Sequence, residues 1–327
     1  MKEPGAVGMA SQTGGGASGF VHLAALRGIR FSKVISYGNA LDLNESDFLD
    51  YFAQDTETSI ILMYVEGVRD GRRFFTSLHQ AASTKPVIII KGGRGNAGTR
   101  VVASHTASLA GSVKTWETLV AQAGAISAEN FDEMADLAVS FYFLPPVLGP
   151  RVGVVGAGGG PSVLSADECE EAGLEVVPLP TEFREELKSK GIPIWDWIGN
   201  PMDVSIVGGP GFTDMDMLQM MAGNQNFDLL IAILNEGVLI TLATKEGMIL
   251  RLRGAVESYA KLMKESSKPL LTVVGEKSQG IDDYDDWSWK LISEARTKLI
   301  ASGIPFYSTI GRAARAARKL VDYYQSW

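Results

Sequence analysis

The chain has 327 residues, 46% apolar and 21% charged, with 30 basic residues against 38 acidic ones and a formal charge of −8. That apolar fraction excludes a disordered chain, and no uninterrupted apolar run approaches the ~20 residues of a membrane helix. Cys169 is the single cysteine, which excludes an intramolecular disulfide or a cysteine-built metal cluster, and the net negative charge makes the chain as a whole repel nucleic acid. A prior of roughly 150 residues per domain suggests two domains. Residues 1–5 run into a strand-like segment without the charged-then-apolar leader of a secreted chain, which points to the cytoplasm.

Short β-branched or apolar runs alternate with helical stretches, the pattern of parallel α/β units. In the first half, strands are predicted at 6–10, 33–36, 59–64 and 86–91, with helices at 18–27, 45–53, 73–83 and 115–122. Leu144-Pro145-Pro146-Val147-Leu148-Gly149-Pro150 then interrupts the pattern as a linker would. The second half restarts with a strand at 151–155 and a long helix through Glu171, continues with strands at 175–178, 229–234, 269–274 and 304–306, and closes on a helix over 311–324. Both halves open with a strand, a glycine-rich turn and a helix. The expected architecture is therefore α/β, two flavodoxin-like domains with parallel sheets, over 1–146 and 147–327.

A parallel sheet places ligands beyond the C-terminal ends of its strands, which directs attention to the two turns. In Ser11-Gln12-Thr13-Gly14-Gly15-Gly16 and Gly156-Ala157-Gly158-Gly159-Gly160-Pro161, backbone N–H groups at a helix start can meet an anion, and glycine lets the backbone come close. Ser11 and Thr13 add hydroxyl donors. The other reading of each turn is a plain tight connection. Gly14-x-Gly16-x-x-Gly19 also matches a dinucleotide fingerprint, but Ser36-Tyr37-Gly38-Asn39 ends the second strand without the acidic residue the ribose needs. The stretch Gly92 to Thr99 resembles a P-loop and lacks its lysine, so a nucleoside triphosphate is not expected there.

Of three histidines, His22 and His79 fall in helical stretches and read as surface or packing residues. His105 lies in the small-residue segment Ala103-Ser104-His105-Thr106-Ala107-Ser108, read as a loop after the fourth strand. A neutral imidazole is a competent nucleophile near pH 7 when a carboxylate fixes its tautomer. Glu66, directly after the third strand, is the candidate orienter. Four acidic neighbours of Cys169 disfavour its thiolate. The acidic, aromatic stretch 279–289 reads as a solvated loop, and Arg312, Arg315, Arg318 and Lys319 as a solvated helix face. Gly199-Asn200-Pro201-Met202-Asp203 reads either as a capped turn or as part of a site.

Ser104-His105-Thr106-Ala107-Ser108-Leu109-Ala110-Gly111, preceded by Lys91-Gly92-Gly93-Arg94, resembles the phosphohistidine loop of the nucleoside-diphosphate-forming acyl-CoA synthetases, the family of ADP-forming acetyl-CoA synthetase and succinyl-CoA synthetase. The segments Gly8 to Gly14, Tyr37-Gly38-Asn39, Tyr64-Val65-Glu66-Gly67, Gly158-Gly159-Gly160-Pro161 and Asn200-Pro201-Met202-Asp203 follow the pattern of its α subunit in order. The resemblance implies a succinyl-CoA synthetase-like fold and the reaction acyl-CoA + ADP + phosphate ⇌ acid + CoA + ATP. It implies a phosphorylated His105 oriented by Glu66 and flanked by Ser104 and Thr106. Ser11, Thr13 and the helix starts at Gly14, Gly15, Gly158, Gly159 and Gly160 would bind the phosphoryl group. Asn200 and Asp203 would lie toward the acyl or CoA end.

Two departures stand out. Ala107 replaces the family's usual glycine, and the chain begins where the family's CoA-binding domain would end. An ATP-grasp partner carrying ADP or ATP with Mg²⁺, a CoA-binding domain or subunit, and hence a hetero-oligomer acting on a small carboxylic acid and phosphate, are the expected company; no metal ligand is expected in this chain. A related ligase moving another acyl or carbamoyl group, and a non-catalytic assembly platform, are the alternatives.

Overall fold

The computed structural model describes residues 3–106, 113–192, 195–204, 212–234, 245–275 and 287–326, with the backbone alone at 103–106 and at 248. It consists of two compact units, Met1–Tyr142 and Phe143–Gln325. Among the described residues, no helix is long and apolar enough to cross a membrane.

The first unit alternates β1 (Val7–Ser11), α1 (Gly14–Leu26), β2 (Phe31–Ser36), α2 (Glu45–Gln54), β3 (Ile60–Val65), α3 (Gly71–Ala82), β4 (Val87–Lys91), α4 (Asn96–Thr106), α5 (Val113–Gln122), β5 (Ile126–Ala128) and α6 (Phe131–Phe143). The sheet is parallel, in the order β2-β1-β3-β4-β5. This is the flavodoxin-like order, in which the chain reverses direction between β1 and β3 and leaves a crevice beyond their C-terminal ends. Central strands of such a sheet are covered on both faces, so they read as unbroken apolar runs. Ile61, Leu62, Met63, Ile88 and Ile89 are accordingly all buried. Helix starts follow from local chemistry. Asn44 and Asp47 form a capping box on α2, and the Asp70 carboxylate accepts from the backbone N–H groups of Arg72 and Arg73 at the start of α3.

The second unit contains β6 (Arg151–Ala157), α7 (Gly159–Glu171), β7 (Glu175–Val176), α8 (Thr181–Ser189), β8 (Met202–Asp203), α9 (Asp214–Gly223), β9 (Leu229–Leu234), α10 (Lys245–Glu265), β10 (Leu270–Val274), α11 (Trp287–Ala301), β11 (Phe306–Tyr307) and α12 (Ile310–Gln325). Its parallel sheet runs β11-β10-β9-β6-β7, with β8 also pairing β6. Leaving β8 aside, this repeats the order of the first unit.

Several elements differ from the sequence reading. The segment around His105, expected to be a loop from Ala103, closes helix α4, which runs over Asn96–Thr106. This stretch has one glycine, two alanines and two threonines, and only Val102 among its described side chains is a buried hydrophobe. The glycines before residue 18 form the first turn of α1. Helix α6 was not anticipated, nor were strands β5 and β8, since strands of two or three residues leave little periodic signal. The same holds for the 175–178 strand, which shrinks to two residues.

Candidate functional site

The exit of β1 is built by a local turn. The Ser11 hydroxyl is fully buried, donates to Thr13 O at 2.9 Å and accepts from Thr13 N at 3.1 Å. Thr13 caps α1, its Oγ1 accepting from Gly16 N at 3.3 Å. The Ser11 proton is thus spent inside the turn, whereas Thr13 Oγ1 only accepts there and keeps its own proton to donate. The backbone N–H groups of Gly14 and Gly15 have no carbonyl partner inside a helix because they occupy its first positions. Both glycines are exposed. A Cβ on Gly15 would meet nothing within 4 Å, whereas one on Gly16 would overlap the Thr13 methyl. The steric demand for glycine therefore lies at Gly16, and the Thr13-x-x-Gly16 cap was legible from the preference for threonine at that position.

Glu66 leaves β3 beside this turn, across the strand-order reversal. Its Oε1 accepts from the Tyr64 hydroxyl at 3.2 Å, and its backbone carbonyl accepts from Lys91 Nζ at 2.6 Å. Lys91 Nζ also donates to Gly92 O at 2.6 Å. Burial lowers the Lys91 ammonium below its usual range, and the Glu66 carboxylate opposes that. Burial and then Glu66 push the Tyr64 phenol up to about 12, so it stays a donor at neutral pH. Gly92 supplies the room. A Cβ there would lie 2.6 Å from the Tyr64 hydroxyl and 3.2 Å from Glu66 Cγ. Tyr64, Lys91 and Gln12, whose side chain accepts from the N–H groups of Glu66 and Gly67, are the functional neighbours that sequence reasoning missed. All three lay in quoted motifs without an assigned role.

The backbone of Ser104, His105 and Thr106 closes α4. Their side chains, and residues 107–112 including Ala107, lie outside the described residues, as does 279–286 of the acidic stretch. His79 behaves as a packing residue, its ring parallel to Phe75 and its Nδ1 3.4 Å from Ala123 O.

In the second unit, β6 turns at Gly156, whose φ is +107 and whose Cβ would overlap Ile233 O. Gly158 caps α7 without a side-chain bond, so the helix opens on the backbone of Gly159 and Gly160. Ser162, 7% exposed, keeps its hydroxyl buried without a partner in the first turn. Asp203 pairs in register with Ala157, and its Oδ2 would be 3.2 Å from a Cβ on Gly159. The carboxylate therefore stands at the positive end of α7, where it stabilises the helix and competes with any other anion.

Asn200 has a scaffold task. Its Oδ1 accepts from Val154 N, and its Nδ2 donates to Val152 O and Val177 O, each at 2.8 Å. Strand β7 pairs β6 only as far as Val152, and β8 begins at Val155. The carboxamide fills the gap, doing for this edge of β6 what a peptide group of a neighbouring strand would do. Cys169 is buried, and its thiol is pushed up to about 12 by burial first and then by Glu168 and Glu170.

Comparison with known proteins is consistent across sequence and fold. The succinyl-CoA ligase-like flavodoxin domain matches residues 4–141. The α subunit of the ADP-forming acetate–CoA ligase II of Pyrococcus furiosus is 38% identical over 229 residues, covering 70% of this chain and 50% of that subunit. The ADP-forming 4-hydroxybutyrate–CoA ligase of Nitrosopumilus maritimus is 27% identical over 325 residues, covering 98% of this chain and 42% of the relative. Among solved structures, the dinucleotide forming acetyl-coenzyme A synthetase 1 of Ca. Korarchaeum cryptofilum, in complex with phosphate and ADP, superposes with a TM-score of 0.78 at 26% identity. That superposition covers 99% of this chain and 65% of the other. The chain thus spans half or less of the length of these two curated relatives.

Proposed function

Because the chain belongs to the nucleoside-diphosphate-forming acyl-CoA synthetases, we propose that it is the phosphate-relay part of an ADP-forming acyl-CoA synthetase acting in the cytoplasm. The reaction is acyl-CoA + ADP + phosphate ⇌ acid + CoA + ATP. A phosphate oxygen attacks the thioester carbon, the C–S bond breaks, and CoA leaves as the thiol. The neutral imidazole of His105 then attacks phosphorus in the acyl phosphate, and the P–O bond to the acyl group breaks to release the carboxylate. The β-phosphate of ADP finally takes the phosphoryl group from the histidine, giving ATP and restoring the imidazole.

Glu66 holds the imidazole in the attacking tautomer, and Ser104 and Thr106 support the segment that carries it. The phosphoryl oxygens are met by N–H groups at the start of α1; in the second unit, Gly158, Gly159 and Gly160 at the start of α7 form another phosphate-binding helix end. Each helix end contributes ~0.3–1 kcal/mol when exposed and up to ~2 when partly buried. Positioning and charge stabilisation thereby carry most of the catalysis, as in other phosphoryl transfers. The relay belongs to the domain over 1–146, and the domain over 147–327 carries Asp203, in the loop proposed to serve the acyl or CoA end.

Mg²⁺ accompanies the nucleotide on an ATP-grasp partner. CoA and the small carboxylic acid are assigned to a CoA-binding partner domain, in a hetero-oligomer. The observation that carries the reading is the placement of Glu66 and the start of α1 together at the β1/β3 reversal of a flavodoxin-like sheet. With ATP, Mg²⁺ and an ATP-grasp partner, the chain should acquire acid-labile, base-stable phosphate. The His105→Asn variant should acquire none, and full labelling of that variant would overturn the proposal.

A further inference from the structure

We infer that Gln12 is the positioning residue that sets Glu66, an inference that rests on the reading of Glu66 as the carboxylate orienting His105. Gln12 follows β1 and is 9% exposed. Its backbone N–H donates to Tyr64 O at 3.1 Å, which carries the β1–β3 ladder one residue past the strand end. Its side chain crosses the strand-order reversal, and Oε1 accepts from the N–H groups of both Glu66 and Gly67, the latter at 3.1 Å. Two successive N–H groups converging on one oxygen fix the direction in which the chain leaves β3, and with it the Cα–Cβ bond of Glu66. Lys91 holds the carbonyl of the same residue and Tyr64 its carboxylate. Of these three, only Gln12 acts through the N–H groups at the turn itself.

The consequence follows from geometry. An orienting carboxylate works only within hydrogen-bond reach of the ring it serves, and a displacement of about 1 Å removes it. Gln12 Nε2 has no partner among the described residues. Holding is therefore done by Oε1 alone, so glutamate at this position preserves the function and methionine, of similar length and without an acceptor, abolishes it.

The test is a nitrogen-15 NMR titration of the histidine rings in the whole chain. There are only three, His22, His79 and His105, and the His105→Asn variant identifies the third. A carboxylate beside an imidazole favours the charged ring, so Glu66→Gln should lower the His105 midpoint by about one pH unit. Gln12→Met should lower it by most of that amount, while Gln12→Glu should not lower it. His79, packed on Phe75, should titrate unchanged in every variant and so report the fold of the first unit. If Gln12→Met disturbs His79, Gln12→Asn carries the test with the same expected shift, since it stays polar and is one methylene shorter. A shifted Glu66→Gln chain beside unshifted Gln12→Met and Gln12→Asn chains overturns the role of Gln12 and leaves Glu66 in place. A Gln12→Glu chain that falls to the level of the methionine variant does the same. An unshifted Glu66→Gln chain overturns the reading of Glu66, and that of Gln12 with it.

Discussion

Replacing Asn200 with alanine separates its scaffold role from the substrate contact that its motif implies. The carboxamide makes three hydrogen bonds of 2.8 Å, to Val154 N, Val152 O and Val177 O. A typical bond contributes about 0.5–1.5 kcal/mol net, and a buried group left unpaired costs about 1–3 kcal/mol. Val152 and Val154 are buried and Val177 is half-buried. Water can reach part of this edge, so the sum is best placed near the lower end of those ranges, at about 3 kcal/mol. For a domain of this size that corresponds to a fall of roughly 6–12 °C in the melting temperature of the second unit. Urea unfolding followed by tryptophan fluorescence reads it, since Trp195 and Trp197 lie in that unit. Asn200→Asp should lose as much, because it keeps the acceptor for Val154 N but turns a second acceptor toward two carbonyls. A loss below about 1 kcal/mol for both variants would refute the bridging role and return Asn200 to the substrate end.

The remaining predictions address other parts of the chain. Arg27 and Asp136 form an ion pair at 2.5 Å with side chains 9% and 4% exposed, so Asp136→Ala should cost about 3–5 kcal/mol, while Arg27→Met with Asp136→Leu should recover most of it; equal losses in calorimetry would refute the pairing argument. Gly156→Ala should destabilise the second unit by at least about 2 kcal/mol through its positive φ and its overlap with Ile233 O. Gly15→Ala, with open space at its Cβ, should be neutral or stabilising by up to about 1 kcal/mol and should keep phosphate labelling if the site acts through the backbone. Burial raises the Glu45 carboxyl above its usual range, against the pull of its own and Arg69 backbone N–H groups. The folded state then holds that proton more tightly than the unfolded chain, so stability is lost as pH rises from the ordinary glutamate value of about 4.3 through the raised one. Relative to wild type, the urea midpoint of Glu45→Gln should therefore climb as the pH is raised above about 4, and a constant difference would refute this.

The parts of the fold legible beforehand share one physical property. Strands near 59–64, 86–91 and 229–234 are covered on both faces, so their apolar character is continuous and needs no knowledge of neighbours. The glycine turns after β1 and β6 were legible for a similarly local reason. Strands β5 and β8 and helix α4 were not, and β7 was read two residues too long, because they are short or made of small residues whose conformation is decided by what they pack against.

The same division runs through the candidate site. Amino-acid order alone established the residue types at the strand ends: a carboxylate after β3, glycines where helices start, and a family pattern joining them. It could not say which polar groups remain available, since a hydrogen bond is decided by proximity in space. Only the folded chain shows the Ser11 hydroxyl satisfied within its own turn, the Asn200 amide completing an edge of β6, and Gln12 reaching from the end of β1 to Glu66 after the neighbouring β3. Backbone groups that secondary structure leaves unpaired must find partners wherever the tertiary fold brings them. Side chains that sequence reasoning assigns to a ligand are the ones most readily taken up in that way.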